Sequence, residues 1–147
     1  MRTLSEKYET KVDSHATKYG VIELPRANNG LSSKEKKFLA LAAKLAETSD
    51  VDNQHGAVVV KNGRVLSLGV NKWRNRGLIQ EDDNWQPVLT VHAEVDALSR
   101  VENPKGAVLY IARNVRGEKG SKFSRPCHRC MEAVRAAGIK RIIYTVD

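Results

Sequence analysis

Ala107-Val108-Leu109-Tyr110-Ile111-Ala112, then Cys127 to Ala137, then Arg141-Ile142-Ile143-Tyr144-Thr145-Val146 is the stretch that decides the fold. The two flanking runs are rich in β-branched and aromatic residues and read as strands. The middle run has helical character and is followed by Gly138, a residue suited to close a helix. A strand, a crossover helix and a second strand imply right-handed parallel pairing, hence an α/β class.

Working outward, Ser32 and Glu35 form a capping-box pair, and Phe38, Leu41, Ala42 and Leu45 recur at helical spacing. A first helix is expected over 33–47. Gly56-Ala57-Val58-Val59-Val60 and Val65-Leu66-Ser67-Leu68-Gly69-Val70 flank Lys61-Asn62-Gly63-Arg64, and Asn-Gly between apolar runs predicts a β-hairpin. Residues 72–87 lack a period and read as a long surface loop, and 113–125 as another irregular stretch. Val91, Val95 and Leu98 mark a short second helix. The expected order is α-β-β-α-β-α-β: a mixed sheet flanked by helices, with a hairpin followed by parallel strands. Residues 1–30, with Leu24-Pro25 and Asn28-Asn29-Gly30, read as an N-terminal arm, and 31–147 as one domain.

A chain of 147 residues can bury a core without disulfide staples. Its 25 Lys and Arg against 17 Asp and Glu leave a charge of +8, which favours anionic partners such as nucleotides or nucleic acid. No apolar run approaches the roughly 18 residues that cross a bilayer, so no membrane partner is expected. Met1 to Asp13 alternates charges and offers no secretory signal, which predicts a cytoplasmic protein. There the two cysteines, three positions apart, suit metal binding or redox chemistry better than a structural disulfide.

The chemistry concentrates in Val91-His92-Ala93-Glu94 and Pro126-Cys127-His128-Arg129-Cys130, each expected to open a helix. Cys127 and Cys130 share a helix face and can reach one ion, with His92 as a third ligand from the other helix. Three ligands leave a tetrahedral position open, which separates a catalytic zinc site from a structural one. Two thiolates weaken the ion as a Lewis acid, and Glu94 is placed to accept a proton from water.

This H-x-E and P-C-x-x-C pair resembles the cytidine and deoxycytidylate deaminase superfamily, which also includes tRNA adenosine deaminases. The resemblance runs over about 33–146, through Gly56-Ala57, Gly69-Val70-Asn71 and the order of elements. It implies a three-layer α/β/α fold and a bound Zn2+ held by His92, Cys127 and Cys130. Glu94 then matches the family's proton shuttle, and Asn71 the asparagine that holds the sugar or base. The implied reaction is hydrolysis of a cytosine nucleoside or nucleotide to the uracil form, releasing ammonia. Glu94 carries a proton to the ring nitrogen and then to the departing amine. Substrate contacts are expected at Asn71, Ala93, His55, Trp73 and Arg125.

Other readings stay open at this point. Cys127 and Cys130 could form a redox pair, or a structural zinc site completed by His128 or His55. Asn71 could cap a strand end, His55 could be a buried core histidine, and Trp73 and Trp85 could anchor the core or stack on a base. Lys72, Arg74 and Arg76, with Arg113, Arg116, Lys119, Lys122 and Arg125, are expected to border the pocket and contact phosphate. The charge also allows a deaminase acting on cytosine or adenine within single-stranded DNA or RNA, or a non-catalytic zinc-stabilised nucleic-acid-binding domain. The family usually has a fifth strand, which this chain lacks after its last predicted strand. The N-terminal arm or another subunit is therefore expected to cover that sheet edge, and a homo-oligomer fits.

Overall fold

The computed structural model describes residues 9–10, 19–23, 31–73, 80–81, 87–88 and 90–146. Its main sheet has the order β1-β2-β10-β9-β3-β4. These strands are β1 Glu9–Thr10, β2 Tyr19–Glu23, β3 Asn53–Lys61, β4 Arg64–Val70, β9 Val108–Val115 and β10 Arg141–Thr145. The parallel pair is β9 with β10, Arg141 lying opposite Val108. β3 runs antiparallel to both β4 and β9. The expected α/β class with a mixed sheet is what the chain adopts.

Alternation along the strands divides the core between the two faces. Ala57, Val59, Leu109, Ile111, Ile142 and Tyr144 pack with helices α2 (Ala93–Leu98) and α3 (His128–Ala136). Val58, Val60, Tyr110, Ala112 and Ile143 pack beneath α1 (Ser33–Ala46). The result is three layers, helix on sheet on helix.

Local chemistry accounts for the turns and helix ends. The Glu35 N–H donates to Ser32 Oγ at 3.1 Å while the Ser32 N–H donates to Glu35 Oε1 at 2.9 Å, completing the capping box. Asn62 and Gly63 have φ of 52° and 77°, the paired left-handed conformation of a type I′ hairpin turn. Gly138, at φ 79°, ends α3. Its N–H reaches the Arg135 carbonyl and the Ile139 N–H reaches that of Val134, so two otherwise orphaned acceptors are satisfied.

Several expectations change. On α1 the buried stripe is Leu39, Ala42 and Ala46, while Leu41 is 37% exposed. On α2 the buried residues are Ala93, Glu94, Asp96 and Ala97, and Val95 is exposed. β3 begins at Asn53 and β9 continues to Val115 because these polar ends pair with each other, Asn53 opposite Val115. Within 72–87, expected as one loop, β5 Lys72–Trp73 pairs with β8 Thr90–Val91, and β6 Gln80–Glu81 with β7 Pro87–Val88. The expectations for Arg74, Arg76 and Trp85 lie outside the described residues. β2 pairs antiparallel along β10, so the sheet edge expected to need a cover carries the segment Tyr19–Glu23. Among the described residues, no helix is long and apolar enough to cross a membrane.

Candidate active site

One glycine sets how close the site helix α2 lies to the sheet. A Cβ on Gly69 would fall 2.3 Å from the Ala93 carbonyl oxygen and 2.5 Å from the Ala97 nitrogen. Only a residue without a side chain therefore lets α2 rest on β4 at that height. His92 is the N-cap of α2, and Glu94 stands in its first turn. Cys127 is the N-cap of α3, with Cys130 one turn inside.

These ends converge. His92 Nδ1 lies 3.0 Å from Cys130 Sγ and 3.9 Å from Cys127 Sγ. The three ligand atoms all lie within 4.8 Å of one another, the one such histidine, cysteine and carboxylate group among the described residues. Tetrahedral zinc with ordinary Zn–N and Zn–S bonds separates its ligand atoms by about 3.5–3.8 Å. The observed spacings bracket that range, and one imidazole with two thiols is a donor set that suits zinc. Hydrogen bonding from Cys130 and from His92 holds the Cys127 thiol well below the usual thiol range. The shared proton and burial push Cys130 up, and a divalent cation is what deprotonates both. His128 stays out of the group, exposed and 3.1 Å from Glu132 Oε1.

A cavity of about 310 Å3 opens beside this cluster, lined by Asn53, His55, Asn71, Glu94, Arg125 and Cys127 among others. Glu94 is 4% exposed. Burial raises its carboxyl above the usual range, against the pull of its backbone hydrogen bond and His92. Burial likewise lowers the pKa of His55. Its Nδ1 is 3.2 Å from the Asn53 carbonyl, which can only accept, so the neutral ring carries its proton there and leaves Nε2 as an acceptor.

Of the residues singled out from sequence, His55, Asn71, His92, Glu94, Arg125 and Cys127 meet at the cavity. Cys130 is buried beside it, in the His92, Cys127 and Cys130 cluster. Ala93 is fully buried in the core and Trp73 is 56% exposed on β5, and neither lines the cavity.

The expected phosphate-binding cations are largely engaged elsewhere. Lys72 Nζ reaches the buried Asp96 at 2.9 Å. Arg113 is bound to Asn53 Oδ1 and the Phe123 carbonyl, and Arg116 to the Ser49 carbonyl. Of the set named from sequence, Arg125 lines the cavity.

Sequence reasoning missed the small polar residues. Ser124 is 3% exposed, and its hydroxyl meets the Ile111 carbonyl and Thr145, which ties Arg125-Pro126-Cys127 over the end of the sheet. Its place just before the cysteine motif was the available signal. Ser49 and Asp96, both buried, carried no signal in their local sequence.

Comparison with known proteins agrees with this geometry. The cytidine and deoxycytidylate deaminase zinc-binding region matches residues 32–146. A deoxycytidylate deaminase of Mycobacterium phage D29 is 30% identical over 129 residues, covering 75% of this chain and 92% of that protein. The crystal structure of dCMP deaminase from cyanophage S-TIM5 in complex with dCMP and dUMP superposes with a TM-score of 0.54. It is 24% identical and covers 76% of this chain and 80% of that one. The apo form of the same phage enzyme gives 0.54 at 23% identity, over 74% and 80% of the two chains, so the fold is shared. With that family region matched over residues 32–146 and a His92, Cys127 and Cys130 cluster that could hold a metal ion, the chain belongs to the cytidine and deoxycytidylate deaminase family.

Proposed function

We propose that this chain is a zinc-dependent hydrolase that converts a cytosine nucleotide, deoxycytidylate first among them, to the uracil form with release of ammonia. The observation that carries the reading is the meeting of His92 and Cys127 with Glu94 and Asn71 at one cavity, with Cys130 beside it completing the His92, Cys127 and Cys130 cluster. The name of the phage D29 relative, which aligns over most of its length, favours the deoxynucleoside monophosphate.

His92, Cys127 and Cys130 hold the zinc, which when bound supplies Lewis acidity that makes water a nucleophile near neutral pH. Glu94 takes the proton that water loses, delivers it to the ring nitrogen as the C4 carbon is attacked, and passes a proton to the leaving amine. Water is consumed and ammonia leaves, so the glutamate ends each turnover as it began. Asn71 and His55 contact the sugar or base, and Arg125 contacts the 5'-phosphate. The cavity stands near the lower end of the roughly 300–1,000 Å3 of small-ligand sites, which suits one nucleotide.

A second reading, deamination within a single-stranded polynucleotide, is favoured by one feature. Trp73 is exposed, and Thr90, its pairing partner, lines the cavity, which would set a stacking surface at the entrance. The proposal also takes residues 31–147 as the catalytic domain with 1–30 as an arm, acting in the cytoplasm as a homo-oligomer. The free thiols of Cys127 and Cys130 suit a reducing compartment. Exposed Val65, Leu66 and Leu68 on the edge strand β4 supply apolar surface for a second copy.

An ammonia-release panel of cytidine, deoxycytidine, their monophosphates and DNA and RNA oligonucleotides tests the assignment. Fastest turnover of deoxycytidylate is expected. Silence on every monomer with turnover of an oligonucleotide would transfer the assignment to the second reading.

A further inference from the structure

Asn71 closes β4 and is 5% exposed, yet it lines the catalytic cavity. Main-chain partners settle which way its amide faces. The His55 N–H donates to Oδ1 at 2.8 Å, and Nδ2 donates to the Asn53 carbonyl at 2.7 Å. A backbone N–H only donates and a backbone carbonyl only accepts, so oxygen and nitrogen cannot exchange places. Nδ2 carries a second proton, and Asn71 is one of the residues that line the cavity.

A third partner comes from outside the cavity. Ser49 lies between α1 and β3 and is 3% exposed. Its hydroxyl is 2.7 Å from Asn71 Oδ1 and 2.8 Å from the Asn71 main-chain oxygen. Ser49 is itself held: its Oγ accepts the Val51 N–H, and its carbonyl accepts Gln54 Nε2 and an Arg116 N–H. A fixed hydroxyl between both oxygens of one asparagine restrains that residue's side-chain torsion.

We propose that Ser49 is a positioning residue for substrate binding: it locks Asn71 so that the nucleotide meets a preset N–H donor, which favours a hydrogen-bond acceptor on the ligand. The inference rests on the reading of Asn71 as a substrate contact. Ser49 is not among the residues lining the cavity, so its effect on the ligand passes through Asn71. A merely structural role in the turn would change the amount of folded protein and leave the kinetic constants of the folded fraction as they were.

The test is steady-state ammonia release from deoxycytidylate by the zinc-loaded full chain. The set is wild type, Ser49→Ala, Ser49→Thr, Asn71→Ala and the Ser49→Ala/Asn71→Ala pair, with folded enzyme measured in each. Ser49→Ala is expected to raise KM about ten-fold, the scale of one hydrogen bond, with kcat within about two-fold. Ser49→Thr, which keeps the hydroxyl, is expected to remain within about three-fold of wild type in KM. Once Asn71 is alanine, Ser49→Ala should add less than about two-fold, because a positioning residue has nothing left to position. Should Ser49→Ala fail to accumulate, Ser49→Cys, with its similar shape and weak donor, replaces it. An unchanged KM in Ser49→Ala, or a full additional ten-fold rise on top of Asn71→Ala, would overturn the inference while leaving the deaminase reading intact. Wild-type enzyme silent on every cytosine compound would overturn that reading and the inference with it.

Discussion

Helices α1 and α2 are seated on the hairpin by the same device and do different work. A Cβ on Gly56 would fall 2.1 Å from the Ala42 carbonyl oxygen under α1, as one on Gly69 would fall 2.3 Å from that of Ala93 under α2. Above Gly56, α1 buries the stripe Leu39, Ala42 and Ala46 and holds one face of the sheet. Above Gly69, α2 buries two carboxylates, Glu94 and Asp96, in only six residues. Burying an unpaired charge is costly, so Asp96 is matched by the Val70 N–H at 3.1 Å and by Lys72 and Arg100. Glu94 is left protonatable. Close seating is thus the common frame, and the polar load on α2 is what function adds to it.

Predictions sharpen this contrast from the largest effect down. Glu94→Gln should lower kcat by about 10²–10⁴-fold with zinc retained. Chemical denaturation should find stability within about 1 kcal/mol of wild type, since a neutral amide replaces a buried acid of like shape. Equal turnover by Glu94→Gln would remove the glutamate from the mechanism.

Both Gly56→Ala and Gly69→Ala should cost about 1–3 kcal/mol or more, because each added methyl strikes helix backbone. They should part company in kinetics. Gly69→Ala shifts the helix that carries His92 and Glu94 and should lower kcat/KM of the folded fraction about ten-fold or more. Gly56→Ala strikes α1 and not the helix that carries His92 and Glu94, so it should lower kcat/KM by less than Gly69→Ala does. Matching losses in the two variants would dissolve the distinction between the helices.

Asp96→Asn probes the charge that anchors α2 to the β4–β5 junction. Burial opposes ionisation of Asp96, but the Lys72 and Val70 hydrogen bonds outweigh it and hold the carboxyl below its usual range. A group depressed in the folded state stabilises above its unfolded pKa and loses that stabilisation as pH falls through the folded value. Wild type should therefore exceed Asp96→Asn by about 1–2 kcal/mol at pH 7, a modest figure because the Lys72 side chain is 51% exposed. Urea melts should show the gap closing below about pH 4. A gap independent of pH would mean that shape rather than charge makes the contact.

Smallest of all, Ser32→Ala removes half of the α1 capping box and should cost about 0.5–1 kcal/mol in thermal melts. Turnover should not change. Any fall in kcat would connect α1 to the chemistry after all.

What could be read from sequence was what local chemistry determines. Asn62-Gly63 dictates its turn, the β-rich runs 107–112 and 141–146 declare themselves as strands, and His92, Cys127 and Cys130 declare themselves by type and spacing. What could not be read depends on partners far along the chain. Lys72 looked like a phosphate ligand until Asp96, 24 positions away, took its charge. Ser49 and Asn71 meet across 22 positions, with nothing in either neighbourhood to announce it. Val95 was expected to face inward because it is apolar, whereas Ala93 and Ala97 do so because only small residues fit against Gly69. The polar ends of β3 and β9 carry no strand pattern and are extended by each other.

The most direct measurement of the central claim is zinc K-edge X-ray absorption on the purified full chain, with metal content determined on the same sample. The account predicts one zinc per chain, with two sulfur neighbours and one imidazole from the protein. Absence of stoichiometric zinc, a sulfur count other than two, or a fourth protein side chain on the ion would contradict it.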